Sequence, residues 1–195
     1  MAFVPELIDR DNAGKVAYEF YKQHPGETLI VGTADHETGG FVLSGNTYEL
    51  HLDVIAHQRM TIERLGKELH KLHDQYGDKL KWETVKELIA ANFGFWDKVT
   101  LTEEQTSRLR KAFDHIMNGT GESVLTLYQK DDELASTVKK IQSECALVGW
   151  QVTSHSNGYV PCFAIGAGAE QIHGRIDNTL ICKLIAKAAG WKTPF

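Results

Sequence analysis

No stretch of this sequence is apolar for long enough to span a bilayer, which takes about 20 consecutive residues, so no membrane-spanning helix is predicted. The opening Met1-Ala2-Phe3-Val4-Pro5-Glu6 lacks a basic start and an apolar run behind it, so no signal peptide is predicted in this chain. There is no basic stripe: 21 Lys and Arg stand against 26 Asp and Glu, a net charge of −5, which argues against nucleic acid as a partner. No G-x-x-x-x-G-K-[ST] loop is present, which argues against nucleotide binding through a P-loop. The cysteines are three, Cys145, Cys162 and Cys182, odd in number and without a C-x-x-C pair. They form no disulfide framework. Each has apolar neighbours, so each is expected to be a buried free thiol. His70, His73 and Asp74 share a helical face and could chelate a surface metal, but without H-E-x-x-H spacing they read first as a solvated surface. Internal repeats and low-complexity tracts are absent.

What is present fits one soluble globular domain: 195 residues with 42% hydrophobic content, enough for a sizeable core. Leu7, Ile8, Val16 and Phe20 recur at helical spacing, so a helix is predicted from Pro5 to His24, with a turn at Pro25-Gly26. The apolar run Thr28 to Ala34 follows as a buried strand. A helix feeding a strand is the tail of a crossover unit, which predicts a parallel sheet. Phe41–Leu43 and Thr47–Leu52 read as two more strands, with Ser44-Gly45-Asn46 as a hairpin turn. From Asp53 to Glu144 the texture turns helical, with helices predicted at Val54–Tyr76, Trp82–Asn92, Thr102–Met117 and Asp132–Cys145. Thr102 and Gln105 have capping-box spacing, and Asn118-Gly119-Thr120-Gly121 reads as a loop. The aromatics Trp82, Phe93, Phe95, Trp96 and Phe113 are the expected core of this helical region. Strands return at Trp150–Thr153 and Val160–Ile165. A last helix, Asn178–Ala189, stops at Gly190.

The most informative segment is Thr28-Leu29-Ile30-Val31-Gly32-Thr33-Ala34-Asp35-His36-Glu37-Thr38-Gly39-Gly40. In open α/β sheets ligands sit just outside the carboxyl ends of strands. There Asp35 and His36 offer a carboxylate oxygen and an imidazole nitrogen, both ordinary zinc ligands. Gly39 and Gly40 allow a sharp turn beyond them. From the residues alone the pair is equally a capped strand end with a buried hydrogen-bonded Asp–His. Glu37 and Thr38 either orient the imidazole from behind or lie exposed. His155, in Thr153-Ser154-His155-Ser156-Asn157-Gly158-Tyr159-Val160-Pro161, is on its own a loop histidine or a ligand.

Together the two blocks carry a resemblance. The first resembles the T-A-D-H-E-T-G-G signature of alkaline phosphatases. The second, running on through Phe163-Ala164-Ile165-Gly166-Ala167-Gly168-Ala169 to Gly174 and Asp177-Asn178-Thr179, resembles the family's late histidine block. Ser156-Asn157 replaces the family's common Thr-Gly, and Ala167 its common proline. The resemblance implies an α/β fold: part of an alkaline-phosphatase-like sandwich with a mostly parallel central sheet flanked by helices. Residues 1–52 and 147–195 would form the core that carries the metal ligands, and 53–146 a mainly helical insertion beside the active site, serving access or dimer contacts.

The resemblance further implies a hydrolase of phosphate monoesters that works through a phosphoserine, with two zinc ions and one magnesium. Asp35 and His36 would hold the zinc that activates the serine, and His155 the zinc that activates the attacking water. The serine, a bridging aspartate, a phosphate-binding arginine and a further Asp and His come from earlier in the family's chain. Nothing before Asp35 here supplies them. The expectation is therefore the C-terminal part of such an enzyme, inactive alone, its partner being the missing N-terminal segment. Its exposed sheet edge favours homo-oligomers, and its parent would be periplasmic or secreted. The alternatives are a non-catalytic metal-binding or interaction module, or one half of a split metallohydrolase.

Overall fold

The structure, a computed structural model, describes residues 3–43, 48–120, 124–125, 130–152 and 154–192. The chain divides into two compact units: a central one of Thr38–Ser156 with Met1–Val4, and a terminal one of Pro5–Glu37 with Asn157–Phe195. No helix among the described residues is long and apolar enough to cross a membrane.

The terminal unit contains most of helix α1 (Phe3–Gln23), strand β1 (Leu29–Thr33), strand β6 (Cys162–Gly166) and helix α7 (Asn178–Ala188). β1 pairs with β6 in antiparallel register from Leu29 opposite Gly166 to Thr33 opposite Cys162. Gly166 makes the corner: its φ is +108°, and a Cβ there would stand 2.0 Å from the Thr28 carbonyl oxygen. That oxygen accepts from the Ala167 amide at 2.9 Å. Asp177 caps α7, its carboxylate accepting from the Thr179 amide at 2.9 Å and hydroxyl at 2.6 Å. Those bonds hold the Asp177 carboxyl below the usual range.

The central unit contains strand β2 (Phe41–Leu43), helices α2 (Asp53–Ala56), α3 (Ile62–Tyr76), α4 (Trp82–Phe93) and α5 (Glu103–Met117), the short strands β3 (Val124–Leu125) and β4 (Lys130–Asp131), helix α6 (Glu133–Ala146) and strand β5 (Val148–Trp150). Its core is the expected aromatic cluster: Phe93 and Phe95 are fully buried, Trp82 and Phe113 nearly so, and Trp96 packs against them half-buried. Leu65, Val85, Ile89, Leu109, Val138 and Ile141 complete it from four helices. The capping box is formed: Thr102 Oγ1 accepts from the Gln105 amide at 3.1 Å, and Gln105 Oε1 accepts from the Thr102 amide at 3.0 Å.

Several expectations need correction. The Val54–Tyr76 helix is two helices, broken at His57–Thr61, because Thr61 turns out of the helix and caps α3 by accepting from the Arg64 amide at 3.2 Å. Residues 48–52 are not a strand; β2 pairs instead with the distant β5, Phe41 opposite Trp150. The proposed Ser44-Gly45-Asn46 turn lies outside the described residues. β5 ends at Trp150, earlier than expected. The paired strands are all antiparallel, and β1, half-buried rather than buried, has a partner on one edge only among the described strands. A parallel neighbour for β1 is therefore not supplied by these residues. The cysteines are free, yet Cys145 and Cys162 are only half-buried and Cys182 is exposed.

Candidate metal centre

β1 delivers Asp35 and His36 just past its carboxyl end, in the terminal unit. The two side chains meet: His36 Nε2 lies 3.2 Å from Asp35 Oδ2, and the His36 amide donates to Asp35 Oδ1 at 3.0 Å. The pair is not buried, since the carboxylate is 85% exposed and the imidazole 40%. Both side chains thus reach solvent.

The imidazole is oriented from behind. His36 Nδ1 lies 2.9 Å from the Glu37 carbonyl oxygen. A protonated Nδ1 donating there leaves Nε2 as the electron-pair donor, the usual way a backbone carbonyl fixes a ligating histidine. Glu37 therefore contributes through its main chain.

These two donors fit one zinc. Zinc bonds of about 2.0–2.1 Å to oxygen and nitrogen put two tetrahedral ligands about 3.4 Å apart, close to the 3.2 Å found between Asp35 Oδ2 and His36 Nε2. A catalytic zinc usually has three protein ligands, so a zinc held by this pair would need a further one. Among the described residues, no three His, Cys, Asp or Glu side chains converge on a common point.

His155 belongs to the central unit, at its last residue but one, and is half-buried. The backbone leading to it is held by the two glycines of the first block. Gly39 O accepts from the Gln151 amide at 2.9 Å and from the Val152 amide at 3.1 Å, and Gly40 O lies 3.2 Å from the Gln151 amide. A Cβ on Gly39 would stand 2.6 Å from the Ser154 carbonyl oxygen. The end of one sequence block is thus seated on the start of the other.

A sequence profile of the alkaline phosphatase family matches residues 1–191. The chain belongs to the alkaline phosphatase family. Alkaline phosphatase 4 of Bacillus subtilis (strain 168) is 27% identical over 183 residues, covering 93% of this chain and 34% of that protein. Alkaline phosphatase 3 of the same organism is 26% identical over 184 residues, covering 94% and 34%. Among solved structures, the cold-active alkaline phosphatase of the psychrophile Shewanella sp. superposes with a TM-score of 0.64 at 22% identity, covering 91% of this chain and 38% of that one. The alkaline phosphatase fold is therefore shared, and the chain spans about a third of the length of the curated relatives it matches.

The other residues singled out in the sequence have roles of their own. His70, His73 and Asp74 are exposed along α3 and are part of no metal-ligating group of three among the described residues. Asp177 and Thr179, in the late block, cap α7. Sequence reasoning missed the contact of Gly39 and Gly40 with Gln151, Val152 and Ser154; the signal was the glycine pair itself, read only as a turn.

Proposed function

We propose that this chain supplies Asp35, His36 and His155 as metal ligands to a phosphate monoester hydrolase of the alkaline phosphatase type. The observation that carries the reading is the Asp35–His36 pair: a carboxylate oxygen and an imidazole nitrogen 3.2 Å apart just past the end of β1, with the imidazole set from behind by the Glu37 carbonyl. In the proposed enzyme zinc and magnesium ions neutralise the charge of the transferring phosphoryl group and clamp its attacking and leaving oxygens. Asp35 and His36 belong to the zinc beside a serine nucleophile, and His155 to the zinc beside the attacking water. The serine, and the phosphoserine it forms, come from a part of the family's chain not represented here.

In this reading residues 53–146 are a helical insertion in the α/β core, and the protein works in the periplasm or outside the cell. Leu7, Ile8, Val16 and Phe20 on α1 are exposed and support self-association, which light scattering would report as a dimer or larger species; a monodisperse monomer would count against it.

The test is p-nitrophenyl phosphate hydrolysis at alkaline pH with zinc and magnesium. The chain alone is expected to give no more activity than its His36→Ala variant. Combined with a segment carrying the serine, it is expected to be active and to lose that activity on Asp35→Ala. Activity indifferent to Asp35→Ala would falsify the assignment.

The second reading is a non-catalytic metal-binding or interaction module, or one half of a split enzyme. A stoichiometric serine-bearing partner co-purified from the native source supports the split enzyme; its absence supports the module.

A further inference from the structure

We infer that Gly39, through a β-bulge it forms with Gln151 and Val152, positions the imidazole of His155. The catalytic consequence rests on the metal role proposed for His155; the positioning itself is read from the central unit alone. β2 and β5 pair regularly from Leu43 opposite Val148 to Phe41 opposite Trp150. One residue later the ladder changes. The amides of Gln151 and Val152 both donate to Gly39 O, at 2.9 and 3.1 Å. Two successive donors on one carbonyl are the pattern of a bulge, which bends its strand, increases its twist and re-aims the side chains beyond it. Only Thr153 and Ser154 separate the bulge from His155.

Glycine is needed on the other side. Gly39 is buried, with φ at +105°, and a Cβ there would stand 2.6 Å from Ser154 O and 2.9 Å from Val152 O. Both obstacles are backbone oxygens, so no rotamer change relieves the contact. The backbone at Val152 and Ser154 must move, and His155 moves with it. Gly40, at φ +68°, would meet Gln151 Cβ at 2.7 Å and Oε1 at 2.8 Å, which a side-chain shift partly relieves. At Gly77 of the same unit, with φ at +51°, an added Cβ would meet nothing within 4 Å. Gly39→Ala and Gly77→Ala therefore share a positive-φ cost and differ in the push on Val152 and Ser154.

The experiment uses the full chain, metal-free and labelled with 15N-histidine. Gly39→Ala is expected to shift the ring resonances of His155 while those of His70, His73 and His115, in the same unit, stay in place. Gly77→Ala is expected to shift none of them. An unmoved His155, or a shift of all four rings together, overturns the inference, the second because it makes Gly39 a general support of the unit. Should Gly39→Ala lose its helical circular dichroism, Val152→Pro replaces it. That variant removes one bulge donor without adding a methyl at Gly39, and the same His155-selective shift is required. Cadmium-113 spectra of the active assembly then separate this from the metal assignment. If His155→Ala abolishes no cadmium resonance, the ligand role falls, while the positioning still stands or falls on the ring shifts.

Discussion

Phe163 lies directly across the β1–β6 pair from Gly32, and its ring covers that residue so closely that a Cβ on Gly32 would stand 2.2 Å from Phe163 Cζ. The ring replaces the side chain Gly32 lacks, on the strand that leads to Asp35 and His36. An aromatic laid over a strand glycine is a known way of restoring packing there. Gly32→Ala is therefore expected to push the half-exposed ring aside and to cost modestly, because the obstacle is the far end of a side chain. Combining it with Phe163→Ala should recover part of the loss. Urea denaturation of the single and double variants measures the coupling, and simple additivity would contradict the contact.

How much was legible in the sequence depended on how local the cause was. The Thr102–Gln105 box and the aromatic core of the helical region follow from residues within a turn or two of one another, or from helical periodicity. The break at His57–Thr61 escaped because Val54, Ile55, Ile62, Leu65 and Leu69 keep an apolar pattern through it, with no Gly or Pro to mark the stop. In sequence β2 reads as the neighbour of the next apolar segment, whereas its partner β5 follows about a hundred residues later; a three-residue strand carries no pattern that names a distant partner. At the site, the Asp35–His36 adjacency was visible in the sequence. The seating of Gly39 on Ser154 was not, because a close backbone approach leaves only a missing side chain as its trace.

The capping box of α5 is tied into the rest of the central unit. Gln105 Nε2 donates to Glu144 Oε2 of α6 at 3.2 Å while its Oε1 accepts from the Thr102 amide. Thr102→Ala loses the cap alone and is expected to cost ~0.5–2 kcal/mol. Gln105→Ala loses the reciprocal bond and the link to α6, so it should cost at least as much. Chemical denaturation of both variants checks the order; a smaller loss in Gln105→Ala would sink the argument.

Acid should find the α5–α6 contact. Burial pushes the Glu144 carboxyl up, but hydrogen bonds from Arg108 and Gln105, with the charges of Arg108 and Lys140, outweigh it and hold the carboxyl below its ordinary 4.5. Arg108 reaches Glu144 with two nitrogens, each 2.9 Å from a carboxylate oxygen. A folded pKa below the unfolded one contributes stability that is full above about 4.5 and is lost as pH falls through the folded value. Both side chains are partly exposed, so the contribution is modest. In Arg108→Met the fall in midpoint below pH 4.5 should be shallower than in the parent chain. Parallel acid limbs would refute the pairing.

Burial separates apolar residues that composition treats alike. Phe93 is fully buried with its ring centroid 6.1 Å from that of Phe95, whereas Trp191 is 68% exposed. Phe93→Ala opens a cavity among α4 and its neighbours and is expected to cost about 3–5 kcal/mol. Trp191→Ala should change stability by no more than about 0.5 kcal/mol. Thermal unfolding read by circular dichroism compares them directly, and comparable losses would contradict the placement of the core.

The thiols should react in an order set by their surroundings. Burial pushes the Cys145 thiol up, a hydrogen bond with Gln105 partly opposes this, and the Glu144 charge adds to it. The thiolate is the attacking species, so Cys145 is doubly slowed, by access and by protonation. Cys182 is exposed on α7, its Sγ 3.4 Å from the Thr179 carbonyl oxygen. With an aromatic disulfide reagent at pH 8, Cys182 is expected to be modified first and Cys145 last. Cys182→Ser should delete the fast phase and leave the slow one. Gln105→Ala should slow Cys145 further at fixed exposure, because it removes the one interaction that favours the thiolate; a faster reaction would mean that Gln105 acts on this thiol chiefly as a cover against solvent.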